Sequence, residues 1–143
     1  MKGVLYLVAT PIGNLGDITY RAVETLKIVD RHTKVLLDHY GIQKPLTSYF
    51  DHSEKQKTPH LIEKIKNGAS VALISDAGTP GIADPGYRLV EAAVREGVKI
   101  EILPGPAAFL AALVVSGLPT DRFTFEGFFP VKPGQKRNRI AAL

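Results

Sequence analysis

Three short apolar runs, each followed by a loop rich in glycine and proline, constrain the fold of this chain most strongly. The apolar runs occupy residues 3–10, 70–75 and 98–103. Their length and continuous apolar character are typical of strands buried on both faces of a sheet. Segments with helical periodicity lie between them, and strands joined by helices imply parallel pairing. The sequence therefore predicts an α/β fold built on a parallel sheet.

Capping and breaking residues predict where the helices begin and end. The predicted helices follow Asp17 or Thr19 and span residues 59–67, 87–96 and 106–116. Pro59 is expected in the first turn of the second helix, because proline is well tolerated there. Glycines at 68, 97 and 117 are expected to end three of the helices. In the helix at 87–96, the residues predicted to face inward are Leu89, Val90, Ala93 and Val94.

One stretch departs from this alternation. After Asp30 the pattern calls for a strand, but residues 31–41 have helical periodicity. A single helix over 19–40 also keeps helical spacing, and the sequence leaves both alternatives open. A short strand is predicted at 46–50.

The residues suited to bind a ligand are concentrated in three loops, each following a predicted strand. We name them the first loop (9–17), the second loop (75–86) and the third loop (103–108). In an open α/β sheet, ligands bind outside the carboxyl ends of the strands. Glycine lets backbone groups approach a ligand closely, and proline holds a loop rigid. Tight strand-to-helix turns use the same residues, so one loop alone indicates little, but three at one edge indicate a binding site.

Several common kinds of site are excluded or unsupported. The chain has no cysteine, so disulfides and thiolate metal sites are excluded. Residues 81–86 have glycine spacing similar to a phosphate-binding loop, but Tyr87-Arg88 stands where Lys-Ser/Thr is required. The four histidines are scattered without metal-ligand spacing, so no metal is expected. No run of about 18 apolar residues exists, and the N-terminus lacks a cleavage site, so a cytoplasmic protein without a membrane partner is expected.

The charge excess of the chain lies at its C-terminal end. The net charge is +4, yet residues 1–130 hold equal numbers of basic and acidic residues. The remaining segment carries four cations and no acid: Lys132, Lys136, Arg137 and Arg139. Such a segment is a candidate for phosphate contacts, although a solvated tail has the same composition.

Four motifs resemble the ribosomal RNA small subunit methyltransferase I family of the tetrapyrrole-methylase superfamily. They are LYLVATPIGNLGDIT, SDAGTPGIADPGYRLV, LPGPAA and SGLPTDRFTFEGFFP. The resemblance implies 2'-O-methylation of a cytidine ribose in small-subunit (16S) ribosomal RNA, with S-adenosylmethionine as methyl donor. It also implies two α/β domains with the cofactor between them. We expect residues 1–120 to form the N-terminal domain, residues 121–143 to begin the second, and the protein to be a homodimer.

The resemblance also implies roles for individual residues. It assigns cofactor binding to ten residues of the three loops: Pro11, Ile12, Asp76, Gly78, Thr79, Ile82, Ala83, Pro104, Ala107 and Ala108. The RNA partner, free or in the 30S subunit, is expected to contact six cations: Arg31, Lys34, Lys132, Lys136, Arg137 and Arg139. A general base would assist removal of the hydroxyl proton. Asp17, Lys34 and Asp84 are candidates for it, and the sequence selects none of them.

The chain departs from the family pattern between Asp30 and Arg31. The family has a strand and an acidic turn there, whereas here the two residues are adjacent in sequence. We expect that the protein has a strand between Asp30 and Arg31 whose residues are absent from this sequence. Asp30 and Arg31 would then not be covalently joined. Two other functions stay open: methylation of a porphyrin or corrin precursor, and a non-catalytic fragment that docks RNA or dimerises.

Overall fold

The computed structural model describes residues 3–28, 39–42, 49 and 53–143. Three strands lie within these ranges: β1 (Val4–Val8), β2 (Val71–Ile74) and β3 (Lys99–Leu103). Five helices accompany them: α1 (Tyr20–Ile28), α2 (Glu54–Lys66), α3 (Tyr87–Arg95), α4 (Ala108–Val115) and α5 (Pro133–Ala141). The predicted strands and helices are thus present, apart from those in undescribed stretches.

The strands form a parallel sheet in the order β2-β1-β3. Leu7 of β1 is opposite Leu73 of β2 and Ile102 of β3. Both pairings are parallel, so the α/β fold with a parallel sheet is confirmed. The central position of β1 is compatible with its composition, because a strand flanked on both sides is shielded from water and tolerates a continuous apolar run.

Alternate residues of the strands enter two different cores. On one face, Leu5 and Leu73 pack with α2 and α3, including Ile65 and Leu89. On the other face, apolar side chains of all three strands pack with Ala22 and Leu26 of α1, the helix that follows the first loop. These residues are Val8, Ala72, Ile74 and Leu103. Thr19 caps α1, because its Oγ1 accepts a hydrogen bond from the Ala22 backbone N–H at 3.2 Å.

Two predictions about helices were wrong. Helix α2 begins at Glu54, so Pro59 lies inside the helix rather than in its first turn. Proline has no backbone N–H, so the carbonyl of Lys55, four residues earlier, lacks its helical hydrogen-bond donor. Lys55 and Pro59 are both exposed residues. In α3 the inward face contains Ala92, whereas Val94 is 67% exposed. The buried stripe is therefore rotated by part of a turn from the predicted one.

Helix α4 is almost wholly apolar, yet none of its residues is buried. Val114 is 71% exposed and Val115 is 83% exposed. Phe109 lies beside Phe125, with ring centroids 5.1 Å apart. This apolar surface extends through residues 118–131, where Phe128 is 86% exposed.

The unusual stretch after α1 cannot be compared with its prediction. The proposed chain break at Asp30–Arg31, the helix alternatives and most of the predicted strand at 46–50 lie outside the described residues. The placement of Arg31 and Lys34 lies outside them too. Tyr49 is described and belongs to the core beside α2.

Burial of Tyr49 predicts a measurable alkaline transition. Desolvation raises the pKa of its phenol above the usual value. A buried 2.8 Å hydrogen bond with Thr58 has the opposite effect on the pKa, but the effect of desolvation is larger. An unfolded tyrosine ionises near pH 10, so the stability that neutral Tyr49 contributes is present below that pH and lost above it. Phenolate absorbance should show a late-titrating tyrosine that Tyr49→Phe removes. Tyr20→Phe is the control, since Tyr20 is 82% exposed, and loss of the late transition there instead would contradict the assignment.

Candidate functional site

Parallel pairing places the three loops at one edge of the sheet. The carboxyl ends of β1, β2 and β3 are Val8, Ile74 and Leu103, and Val8 is in register with both others. The three loops follow these residues directly. The predicted convergence at the carboxyl edge is therefore confirmed.

The first and second loops are joined by a two-way backbone bridge. The Thr10 N–H donates to the Gly78 carbonyl at 2.9 Å, and the Gly78 N–H donates to the Thr10 carbonyl at 3.0 Å. Two buried hydroxyls reinforce it: Thr10 Oγ1 donates to the Ser75 carbonyl and Ser75 Oγ to the Gly78 carbonyl, both at 3.0 Å. These hydrogen bonds fix the start of the second loop relative to β1.

The third loop contacts the other two. A Cβ atom placed on Gly105 would lie 2.8 Å from the Ala9 Cβ, so only glycine permits this approach. The Thr79 hydroxyl donates to the Pro106 carbonyl at 3.5 Å. Gly78 lies where all three loops meet, because its added Cβ would be 3.5 Å from Ile12 Cγ2 and 3.7 Å from the Pro106 carbonyl oxygen.

The surface of this junction consists mainly of backbone and small or apolar side chains, with Asp76 as an exposed acid. Ile12 and Ile82 are 38% and 47% exposed, and Ala83 has a φ of +52°, which is unusual for a residue with a side chain. Pro11 and Gly78 are buried, whereas Asp76, Pro104 and Ala108 are exposed. Thr79 and Ala107 are half-buried. All ten residues assigned to the cofactor thus lie in the loops that meet at this junction. Eight of them are half-buried or exposed, and Pro11 and Gly78 are buried.

The candidate bases occupy different parts of the site. Asp17 is exposed in a short 3-10 turn (Leu15–Asp17) of the first loop. Asp84 is half-buried in the second loop, beside Ala83. Lys34 lies outside the described residues. No general base is assigned from these positions.

Neither a metal-ligand cluster nor a membrane-spanning helix is present in the described ranges. Within residues 3–28, 39–42, 49 and 53–143, no three His, Asp or Glu side chains are grouped as metal ligands. No helix in the same ranges is both long enough and apolar enough to cross a membrane.

The basic residues near the C-terminus lie on or next to α5. Lys132 precedes the helix, and Lys136, Arg137 and Arg139 belong to it. Arg139 pairs with Glu126, and the Lys136 ammonium lies 5.8 Å from the centroid of the Phe129 ring. All four cations are on exposed residues.

Sequence reasoning missed three residues that build the site. Thr10 and Ser75 are buried hydroxyls that join two loops, and Glu54 is a buried acid that contacts the end of the second loop. Thr10 and Ser75 lie at the ends of apolar runs, and this position is the one sequence signal that could have indicated their role.

Comparison with known proteins identifies relatives of the whole chain. The family model described as "Tetrapyrrole (Corrin/Porphyrin) Methylases" matches residues 4–143. The chain is 53% identical to "Ribosomal RNA small subunit methyltransferase I" of Mesorhizobium japonicum, covering 100% of this chain and 51% of that protein. It is 48% identical to the protein of the same name from Escherichia coli O157:H7, covering 99% of this chain and 52% of that protein. The resemblance seen in the motifs is confirmed, and the chain spans about half the length of these relatives.

The alignment with the Mesorhizobium protein extends over 150 positions and includes all 143 residues of this chain. At least seven aligned positions therefore have no counterpart in this chain.

Solved structures with a similar fold include proteins named as a uroporphyrin methyltransferase and as a diphthine synthase. The uroporphyrin-III-C-methyltransferase from Thermus thermophilus matches with a TM-score of 0.61 and 26% identity, covering 83% of this chain and 55% of that one. A diphthine synthase matches with a TM-score of 0.66 and 22% identity, covering 85% of this chain and 52% of that one, which shows the fold alone.

Proposed function

Because the chain belongs to the tetrapyrrole-methylase family, we propose that it carries the cofactor loops of an S-adenosylmethionine-dependent ribosomal RNA methyltransferase. The reaction is 2'-O-methylation of a cytidine in the small-subunit (16S) RNA. The observation that carries the proposal is the junction of three glycine-containing loops at the carboxyl edge of one parallel sheet. The relatives named as small-subunit RNA methyltransferases support the substrate class.

The residues at the junction fit S-adenosylmethionine. Ile12 and Ile82 offer exposed apolar surface for an adenine ring, and the absence of a Cβ at Gly78 keeps the space between the loops open. The cofactor supplies a methyl group activated by a sulfonium. Ala107 and Ala108 are small enough to let the third loop lie close to a ligand. The part of this chain is to bind and orient, and good alignment of two reactants is a large source of rate.

Methyl transfer to ribosomal subunits tests this function. The intact protein is incubated with unmodified 30S subunits and S-adenosylmethionine carrying a labelled methyl group, and the 16S RNA is digested to nucleosides. We expect the label in 2'-O-methylcytidine, and no label when 50S subunits or uroporphyrinogen III replace the 30S subunits. Label on a nucleobase would contradict the 2'-O reaction, and label on uroporphyrinogen would favour the porphyrin alternative.

We propose that the cations of α5, with Arg31 and Lys34, contact RNA phosphates beside the cleft. Phosphate contacts supply a large share of nucleic-acid affinity and make it depend on salt. The Arg139 charge is partly offset by Glu126, so Lys132, Lys136 and Arg137 are expected to contribute most. An RNA docking role without catalysis would use the same surface, and the methyl-transfer assay separates the two.

Changing Lys136, Arg137 and Arg139 together to Ala should weaken 30S binding and flatten its salt dependence. Each phosphate contact contributes about 0.7–0.9 to the slope of log affinity against log salt, so the slope should fall by about two. The matched control changes Lys64, Lys66 and Arg95, which lie where α2 and α3 end, at the opposite edge of the sheet. An unaltered slope in the α5 variant would mean that this segment is a solvated connection.

We also propose that the intact protein is a cytoplasmic homodimer. The apolar surface of α4 supports an assembly, because contiguous apolar patches of this kind are seldom left in water. Light scattering of the intact protein gives its mass in solution, and a monomer at micromolar concentration would contradict the dimer.

A further inference from the structure

A buried acid lies outside the four family motifs. Glu54 is the first residue of α2, and it is 6% exposed. Carboxylates are rarely buried unless partners compensate for the lost hydration. The partners of Glu54 therefore indicate why an acid is present at this position.

Both carboxylate oxygens of Glu54 are directed to the end of the second loop. Oε1 accepts a hydrogen bond from the Gly86 backbone N–H at 2.7 Å. Oε2 lies 3.5 Å from Arg88 Nε in the first turn of α3. The short hydrogen bond from an amide to a carboxylate is of the stronger, charge-assisted kind. A negative charge is also favourable at the N-terminus of a helix, here that of α3.

Gly86 is held from a second side as well. Its φ is +141°, and an added Cβ would lie 2.8 Å from Leu73 Cδ2 of the sheet. The other end of the loop is fixed by the bridge between Thr10 and Gly78. Residues 79–85, which include Ile82 and Ala83, are thus bracketed by two anchors.

Two hydrogen bonds made by the bracketed segment are long. The hydrogen bond from the Ile82 N–H to the Thr79 carbonyl is 3.4 Å long, and that from the Thr79 hydroxyl to Pro106 is 3.5 Å long. Both are at the weak end of the range for hydrogen bonds. Because these hydrogen bonds are weak, we expect a change at either anchor to shift the residues that face the ligand.

We propose that Glu54 is a positioning residue of the cofactor site. Through Gly86 it fixes the distal half of the second loop in the conformation that S-adenosylmethionine binds. This inference rests on the proposed function for the identity of the ligand. The positioning of the loop itself is a property of the chain and is measurable without any ligand.

Amide hydrogen exchange of the ligand-free intact protein tests the positioning directly. Glu54→Ala should speed exchange in residues 79–86 by about tenfold, because a charge-assisted hydrogen bond is lost. Glu54→Gln should stay within about threefold of the wild type, because its amide oxygen still accepts from Gly86 and the half-exposed Arg88 pair contributes little. Glu54→Asp keeps the charge but withdraws the oxygens, so it should resemble Glu54→Ala.

A matched core variant separates positioning from general stability. Ile65 lies in the same helix and is 1% exposed. Whichever of Ile65→Val and Ile65→Ala has the same loss of Tm as Glu54→Ala should leave exchange in 79–86 unchanged relative to the rest of the protein. Equal acceleration in the core variant would overturn the proposal. If Glu54→Ala does not fold, exchange in Glu54→Asp is compared with exchange in Glu54→Gln. Fast exchange of the loop in Glu54→Gln together with normal exchange in Glu54→Asp would overturn the proposal.

Calorimetry with S-adenosylmethionine completes the test. We expect Glu54→Ala to raise the Kd about tenfold and Glu54→Gln to restore it to within about threefold of the wild type. A wild-type Kd with Glu54→Ala, despite faster exchange in the loop, would overturn the role of Glu54 in the cofactor site. A wild-type protein that binds no S-adenosylmethionine would instead refute the proposed function, and the exchange data would still decide whether Glu54 positions the loop.

Discussion

Replacing Gly86 with alanine should lower the free energy of unfolding by about 3 kcal/mol and abolish measurable cofactor binding. Two costs combine: a φ of +141° is strained for any residue with a side chain, and the new methyl group would lie 2.8 Å from Leu73 Cδ2. Leu73 is 4% exposed in the core beneath the site, so it has little room to move. Relief of the clash would displace Gly86 from Glu54 and shift the second loop. Denaturant unfolding of the intact protein measures the first effect and calorimetry the second.

Gly97→Ala is the matched control. Gly97 follows α3 with a φ of +62°, and nothing lies within 4 Å of an added Cβ. The cost there is backbone strain alone, roughly 1 kcal/mol. Equal losses at the two glycines would mean that the close approach of Gly86 to the sheet is not tight.

Ala107→Leu should raise the Kd for S-adenosylmethionine by about a hundredfold while the protein stays folded. Ala107 has an extended backbone, with φ −143° and ψ 112°, and is half-buried just before α4. A larger side chain is therefore allowed by the backbone but fills space at the loop junction. A hundredfold change corresponds to about 2.7 kcal/mol of lost binding free energy. Calorimetry gives the Kd, and thermal unfolding shows whether the fold is retained.

Ala111→Leu provides the comparison for this variant. Ala111 lies on an exposed part of α4, one turn after Ala107. Replacing it with leucine makes the same chemical change outside the loop junction. Its Kd should be that of the wild type. A normal Kd in Ala107→Leu would remove the third loop from the site. Gly78 is less suitable for this test, because its φ of +81° and its buried position would add a loss of stability.

The sheet and the edge that carries the site were predictable because both follow from local patterns. An apolar run of four to eight residues bounded by glycine and proline identifies a buried strand without knowledge of its neighbours. Parallel pairing then places the carboxyl ends together, as the register of Val8 with Ile74 and Leu103 confirms. Thr19 was predictable as a cap for the same reason, since its partner Ala22 is three residues away.

The features that were not predicted depend on contacts between distant parts of the chain. Pro59 lies inside α2 because the helix begins at Glu54. Glu54 is buried and accepts a hydrogen bond from Gly86, 32 residues further on, and this contact is not evident from the local sequence. Burial of Ala92 rather than Val94 depends on how α3 packs against α2. The Thr10 hydroxyl donates to the backbone carbonyl of Ser75, 65 residues further on, and no spacing rule connects the two residues.

The central claim is that the three loops at the carboxyl edge form one binding site for S-adenosylmethionine. Amide hydrogen exchange of the intact protein, with and without saturating S-adenosylmethionine, tests it most directly. We expect the cofactor to slow exchange in residues 10–16, 76–86 and 105–108 together. Exchange at the opposite edge, in residues 66–70 and 96–99, should not change. Cofactor binding that protects only one of the three loops, or protects the opposite edge instead, would contradict the claim.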